Sequence, residues 1–86
     1  MNKKIVIYSK TVCPYCVKAK FLLKRKKVDF EEILVTSSEI MEEMMKKSGG
    51  MKTVPQIFVD DKHIGDCEGI YALDAKGELD VILGIS

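Results

Sequence analysis

Residues 5–16 read IVIYSKTVCPYC, an apolar run that is followed, after four residues, by a Cys-x-x-Cys motif. The segment Lys4–Ser9 is rich in β-branched and aromatic residues and predicts a buried strand. The residues after the motif, Val17–Lys26, have helical character. Pro14 suits the first turn of a helix, because its missing N–H would have no intrahelical partner there. The sequence therefore predicts that Cys13–Cys16 lies where a strand ends and a helix begins.

A Cys-x-x-Cys motif at a helix start is typical of thiol–disulfide exchange sites. Only the thiolate attacks a disulfide, and the first turn of a helix offers unpaired N–H groups and a partial positive charge that stabilise an anion. Cys13 would cap the helix. Cys16 would lie one turn inside it, on the face that it shares with Ala19, Leu22 and Leu23. We therefore expect Cys13 to be the activated thiol and Cys16 the ordinary one.

Composition narrows the class of protein. The 86 residues predict one domain, residues 1–86. Fourteen basic and thirteen acidic side chains leave a net charge of +1. The protein as a whole therefore has no strong positive potential that would attract nucleic acid or an anionic membrane. The first apolar run is too short for a signal-peptide core or a membrane span. Three cysteines do not make a disulfide framework, so we expect a cytoplasmic protein whose motif cycles between thiols and a disulfide.

The rest of the chain predicts an α/β protein. Three further strands are predicted, at Asp29–Val35, Gln56–Val59 and Lys62–Ile64. The segment Thr36–Glu39 fits a capping box that begins a second helix, and Gly49-Gly50 ends that helix. Asp60-Asp61 is the predicted turn of a hairpin, and two short helical segments follow Gly65. This order predicts a small mixed four-stranded sheet flanked by helices, with a parallel pair from the βαβ unit and an antiparallel hairpin.

Four landmarks now carry a resemblance to a known family. They are the strand-CPYC-helix unit, Thr53-Val54-Pro55, the hairpin Gln56–Gly65, and Gly65-Asp66-Cys67-Glu68 before the last helices. The chain resembles glutaredoxins, particularly the short bacterial dithiol kind, over essentially its whole length. The resemblance implies a thioredoxin-like fold and a glutathione-dependent thiol–disulfide oxidoreductase. It also implies a monomer with no tightly bound cofactor or metal, for which glutathione is a co-substrate.

The resemblance also implies residue roles. Cys13 would attack protein disulfides and glutathionylated proteins, and Cys16 would resolve protein disulfides. Pro55 would follow a cis peptide bond, which turns the Val54 backbone toward glutathione. Cys67 and Glu68 would receive the γ-glutamyl carboxylate at a helix N-terminus. The implied glutathione-binding residues are Lys10, Tyr15, Thr53, Val54, Pro55, Asp66, Cys67 and Glu68.

The chain departs from the family pattern at two positions. Asp66 stands where the family usually has a second glycine, and Gly69 stands where it usually has an acidic residue for the γ-glutamyl ammonium. We expect Glu68, or else Asp66, to contact the ammonium instead.

Two alternatives remain open from the residues. One is a metal-binding module. The ligand types of a Cys₃His zinc site are present in Cys13, Cys16, His63 and Cys67, and an iron–sulfur cluster held by Cys13 is known in the wider family. A thioredoxin-like donor reduced by a flavoprotein is the other alternative. It is less favoured, because the chain lacks a WCGPC motif and has no Trp.

Overall fold

The computed structural model describes residues 3–85. The elements in chain order are β1 (Ile5–Ser9), α1 (Pro14–Arg25), β2 (Glu31–Leu34), α2 (Ser38–Lys47), β3 (Gln56–Val59), β4 (Lys62–Gly65), α3 (Cys67–Ala75) and α4 (Leu79–Leu83). One sheet has the strand order β2-β1-β3-β4. β1 and β2 are parallel, whereas β3 is antiparallel to both β1 and β4. The predicted mixed four-stranded sheet is thus confirmed.

The sheet is covered on both faces because successive side chains of a strand point to opposite sides. Ile5 and Ile7 of β1 pack with α1, α3 and α4, in a cluster whose other members include Leu22, Leu23 and Ile70. Val6 and Tyr8 face the other way, into a smaller cluster with Met44 of α2 and Phe58 of β3. Each fully buried aliphatic side chain contributes about 1.5–3 kcal/mol, so both faces hold the sheet in place.

Helix α1 begins at Pro14, as the sequence predicts. Its buried residues are Cys16, Ala19, Leu22 and Leu23, which is the predicted apolar face. Lys24 and Arg25 lie in its last turn, where cations interact favourably with the helix dipole. Because this face packs against the sheet, the start of α1 is fixed at the carboxyl end of β1.

The predicted capping box of α2 is displaced by one residue. Ser37, not Thr36, is the N-cap, and its hydroxyl accepts a hydrogen bond from the Ile40 N–H at 3.2 Å. The Thr36 N–H donates to the Leu34 carbonyl at 3.0 Å, so Thr36 still belongs to the turn. Glu39 consequently lies at the second helical position, whereas a capping box requires it at the third.

The remaining boundaries differ from the predicted ones by two residues at most. Strand β2 spans Glu31–Leu34, within the predicted Asp29–Val35. Asp60 and Asp61 form the hairpin turn, with φ of 51° and 66°, the combination that a two-residue type I′ turn requires. Two helices follow Gly65, as predicted. Among residues 3–85, no helix combines the length and the apolar composition needed to cross a bilayer.

Candidate active site

Cys13 is the N-cap of α1. Its backbone is extended, with φ −153° and ψ 101°, and its sulfur accepts a hydrogen bond from the Cys16 N–H at 3.2 Å. The first turn of α1 contains no acidic residue, so the positive end of the helix dipole is not neutralised by the helix's own side chains. Cys13 is partly exposed. The arrangement therefore offers an accessible sulfur both a backbone donor and a favourable field for its anionic form.

Cys16 lies in a different environment one turn along the helix. Its side chain has no exposed surface. Burial, and then its hydrogen bond with Cys13, raise the pKa of Cys16 to about 12, although a backbone hydrogen bond with Lys10 and the charge of Lys20 act in the opposite direction. Cys16 is therefore a neutral thiol near pH 7 in the reduced protein, and the activation of Cys13 stays a prediction.

A cavity of about 360 Å³ contains seven of the eight predicted glutathione-binding residues in its lining. The lining residues are Tyr15, Thr53, Val54, Pro55, Asp66, Cys67 and Glu68. Tyr15 belongs to the Cys-x-x-Cys motif, so the cavity opens beside the motif. The eighth residue, Lys10, is exposed and lies outside this lining. The Val54–Pro55 peptide bond is cis, as the resemblance implies.

Helix α3 begins in the lining of this cavity, and a carboxylate caps it. Asp66 is the N-cap, and its Oδ1 accepts a hydrogen bond from the Gly69 N–H at 2.8 Å. Glu68 adds a second carboxylate in the first turn. Burial raises the pKa of Cys67, the first residue of α3; the charge of Lys18 opposes this rise, and the charges of Asp66, Glu68 and Cys13 add to it. Cys67 therefore remains a neutral thiol near pH 7.

The two departures from the family pattern are structurally linked. A Cβ atom on Gly69 would lie 3.2 Å from Asp66 Oδ1, tighter than most such contacts. Glycine at position 69 thus leaves room for the carboxylate that caps α3. The preference of Asp for the N-cap position was a signal for the cap itself, but not for its link to position 69.

Sequence reasoning gave neither Gln56 nor His63 a role in the glutathione-binding site. Gln56 is completely buried behind the cavity wall, and its Oε1 lies 2.6 Å from His63 Nε2. A polar residue in an otherwise apolar strand, directly after Pro55, was the available signal. Among residues 3–85, no three His, Cys, Asp or Glu side chains converge in an arrangement that suits a metal ion.

Comparison with known proteins decides the family. A family model described as Glutaredoxin matches residues 5–64. The chain belongs to the glutaredoxin family. It is 48% identical to Glutaredoxin 1 of Rickettsia conorii over 89 residues, covering 96% of this chain and 87% of the relative.

Solved structures of the family agree with the fold. The solution structure of a glutaredoxin from Brucella melitensis matches with a TM-score of 0.83 and 42% identity, covering 95% of this chain and 89% of that one. The crystal structure of a buckwheat glutaredoxin–glutathione complex matches with a TM-score of 0.85 and 29% identity, over 95% and 77% of the two chains. The expected thioredoxin-like fold is confirmed, and the metal-binding and flavoprotein-dependent alternatives are not favoured.

Proposed function

We propose that this protein is a glutathione-dependent thiol–disulfide oxidoreductase in which Cys13 is the nucleophile and Cys16 the resolving thiol. The observation that carries the proposal is the capping bond between Cys13 Sγ and the Cys16 N–H, at a helix N-terminus without acidic residues and beside a cavity. A charge-assisted hydrogen bond is roughly twice as strong as a neutral one, so this bond favours the thiolate over the thiol.

Reduction of a glutathione mixed disulfide requires only Cys13. The Cys13 thiolate attacks the glutathionyl sulfur, the disulfide bond of the substrate breaks, and the substrate leaves as a thiolate that takes a proton from solvent. The new disulfide joins Cys13 and glutathione. The thiolate of a second glutathione attacks this bond, releases glutathione disulfide and restores the Cys13 thiolate.

Reduction of a protein disulfide uses both cysteines. The Cys13 thiolate attacks one sulfur of the substrate disulfide, the S–S bond breaks, and the first substrate thiolate is released and takes a proton from solvent. Cys16 then gives its proton to solvent and attacks Cys13 Sγ in the mixed disulfide. The second substrate thiol is released, and a Cys13–Cys16 disulfide forms. Two glutathione molecules reduce that disulfide. Glutaredoxin potentials of about −200 to −230 mV lie near the glutathione poise of about −220 to −260 mV, so exchange with the glutathione pool is reversible.

The cavity supplies the binding site for the glutathionyl group. Its volume of about 360 Å³ falls within the usual range for small-molecule sites. The backbone of Val54 pairs with the cysteine residue of glutathione as an added strand would, and the Cys67 and Glu68 N–H groups bind the γ-glutamyl carboxylate. The buckwheat relative, which shares the fold, was solved as a complex with glutathione.

We further propose that the protein acts as a monomer in a reducing cytoplasm, on glutathionylated and disulfide-containing proteins. Neither a membrane nor nucleic acid is an expected partner, because the net charge is only +1. No tightly bound cofactor or metal takes part in the proposed cycle.

The test is the reduction of a glutathionylated peptide with glutathione as the electron source, coupled to glutathione reductase. Thioredoxin reductase serves as the comparison reductant. The proposal predicts rapid turnover with glutathione and no turnover with thioredoxin reductase alone. Turnover that depends on thioredoxin reductase and not on glutathione would contradict the proposal.

A further inference from the structure

A partly buried hydrogen-bond relay, with the buried Gln56 at its centre, lies directly behind the Thr53–Pro55 wall of the cavity. The side-chain amide of Gln56 donates from Nε2 to the Thr53 carbonyl at 3.0 Å, and the same nitrogen lies 3.4 Å from Thr53 Oγ1. On its other side, Gln56 Oε1 lies 2.6 Å from His63 Nε2. The relay thus connects β4, through the first residue of β3, to the cavity wall.

The partners fix the hydrogen positions along this relay. The Thr53 carbonyl can only accept, so the amide nitrogen of Gln56 must face it and the amide oxygen must face His63. That oxygen accepts in turn, so His63 must carry its proton on Nε2. Burial lowers the pKa of His63, although the charge of Asp66 opposes this shift. His63 is therefore neutral near pH 7, as the Nε2–H tautomer.

The relay determines the direction of one peptide group in the cavity wall. The Thr53–Val54 peptide bond is trans, so its C=O and N–H point in opposite directions within one plane. Gln56 holds the carbonyl end toward the protein interior. The N–H of Val54, at the other end of the same plane, is consequently turned away from Gln56, and Val54 lines the cavity.

We propose that Gln56 and His63 are positioning residues, which aim the Val54 N–H at the peptide backbone of the substrate. The proposal rests on the glutathione site proposed above. It specifies that the relay serves substrates that carry a peptide carbonyl next to the disulfide, as glutathione does. A mixed disulfide without a peptide group gains nothing from the relay.

The test compares two substrates built on one peptide. One carries glutathione and the other carries cysteamine in mixed disulfide with the same thiol, which is attached to the peptide through a long alkyl linker, so only the first has a peptide group next to the disulfide. His63→Phe keeps an aromatic ring next to Phe58, whose centroid lies 5.2 Å away, but removes the Nε2 donor. His63→Gln restores a donor at nearly the same reach, and Gln56→Glu replaces the donor to Thr53 by an acceptor.

We expect His63→Phe and Gln56→Glu to raise KM for the glutathionylated peptide about fivefold, the usual effect of one lost hydrogen bond. The kcat for that peptide, and both constants for the cysteamine peptide, should change less than about twofold. His63→Gln should recover the original KM. Tyr8→Phe is the matched control, because it deletes the 2.6 Å hydrogen bond from Tyr8 to Glu43, beside the same Phe58 ring, and does not touch Thr53.

Three results would overturn the proposal. An equal loss on both peptides would show a merely structural role, and so would a loss that Tyr8→Phe reproduces. An unchanged KM in His63→Phe and Gln56→Glu would show that the relay does not orient the Val54 N–H. A different result tests the glutathione site itself: if the unmodified protein shows no preference for the glutathionylated peptide, the proposed function fails before the relay is considered.

Discussion

Helices α1 and α3 both begin at the wall of the same cavity, yet their N-termini are built differently. In each helix the N-cap side chain accepts a hydrogen bond from the N–H of the third helical residue: Cys13 from Cys16 at 3.2 Å, and Asp66 from Gly69 at 2.8 Å. The cap of α1 is a sulfur, and no acidic residue follows it in the first turn. The cap of α3 is a carboxylate, and Glu68 adds another.

Because of this difference, we expect the two helix N-termini to act differently on a nearby thiol. At the α1 terminus the N-cap is a sulfur that accepts the Cys16 N–H, and we expect this terminus to favour its thiolate. The α3 terminus already holds two carboxylates, so its own first-turn thiol, Cys67, receives no such stabilisation. An anionic ligand at α3 must share the field with Asp66 and Glu68. Position at a helix start is therefore insufficient to activate a thiol: burial first, and then the charges of Asp66 and Glu68, raise the pKa of Cys67.

The largest expected effect comes from removing the α1 thiol. Cys13→Ser should lower glutathione-dependent reduction of a glutathionylated peptide by at least about a thousandfold, because a hydroxyl is far weaker than a thiolate as a nucleophile. Cys67 lines the same cavity but cannot replace Cys13, since its pKa is raised. Cys16→Ser should retain this activity and lose reduction of protein disulfides. Substantial activity in Cys13→Ser would mean that Cys67, at the start of α3, can replace Cys13 as the nucleophile.

The second expected effect is a pH dependence of the resolving step. The pKa of Cys16 is raised to about 12 in the reduced protein. Burial, the largest cause of that rise, persists when Cys13 carries glutathione, so the thiolate fraction of Cys16 should still grow about tenfold for each pH unit below its pKa. The release of glutathione by Cys16 from protein glutathionylated at Cys13 should thus accelerate about a hundredfold between pH 7 and pH 9. Stopped-flow measurement of the released glutathione checks this. A rate independent of pH in that range would show that Cys16 is activated in the mixed disulfide.

A smaller effect should follow when α1 is made to resemble α3. Tyr15 and Glu68 both occupy the second helical position, so Tyr15→Glu places a carboxylate where α3 has one. Alkylation of Cys13 at pH 7 should slow about twofold to fivefold, which corresponds to about 0.3–1 kcal/mol of interaction with the helix dipole. Tyr15→Gln is the control for the loss of the phenol. If both variants slow equally, charge in the first turn is not the relevant difference.

The parts of this site that depend on neighbours in the sequence could be predicted. The apolar run, Pro14 and the motif sufficed to place Cys13 at the helix start, and Asp60-Asp61 sufficed for the hairpin. Ser37 was harder to identify as the α2 cap, because Thr36, Ser37 and Ser38 all have a hydroxyl group and local hydrogen bonds choose among them.

Contacts between distant residues could not be predicted in the same way. The bond between Gln56 and His63 exists because the hairpin places them on paired strands. Asp66 and Gly69 are close in sequence, but the position of the capping carboxylate determines that a Cβ on residue 69 would lie only 3.2 Å from Asp66 Oδ1. Residue preferences predict that Asp can cap a helix, whereas its effect on the neighbouring position requires coordinates.

The smallest expected effect concerns the charges at α3. Glu68→Gln should lower kcat/KM for glutathione about twofold to fivefold, because an exposed ion pair with the γ-glutamyl ammonium is worth about 0.2–1 kcal/mol. Gly69→Asp alone should gain less than the double change Asp66→Gly with Gly69→Asp, since the new Cβ meets the capping oxygen. Measurements at low salt limit screening. If none of these variants alters kcat/KM, backbone groups alone bind glutathione at α3.

The most direct test of the central claim compares the two thiols at the two helix starts. Iodoacetamide alkylation is measured at pH 7 on a variant that retains only Cys13 (Cys16→Ser with Cys67→Ser) and on one that retains only Cys67 (Cys13→Ser with Cys16→Ser). Unfolded forms of both variants, in urea, give the reactivity of a thiol without the helix. We predict that folding speeds alkylation of Cys13 by at least about tenfold and slows that of Cys67, since only the thiolate reacts. Equal rates for the two folded variants would contradict the account.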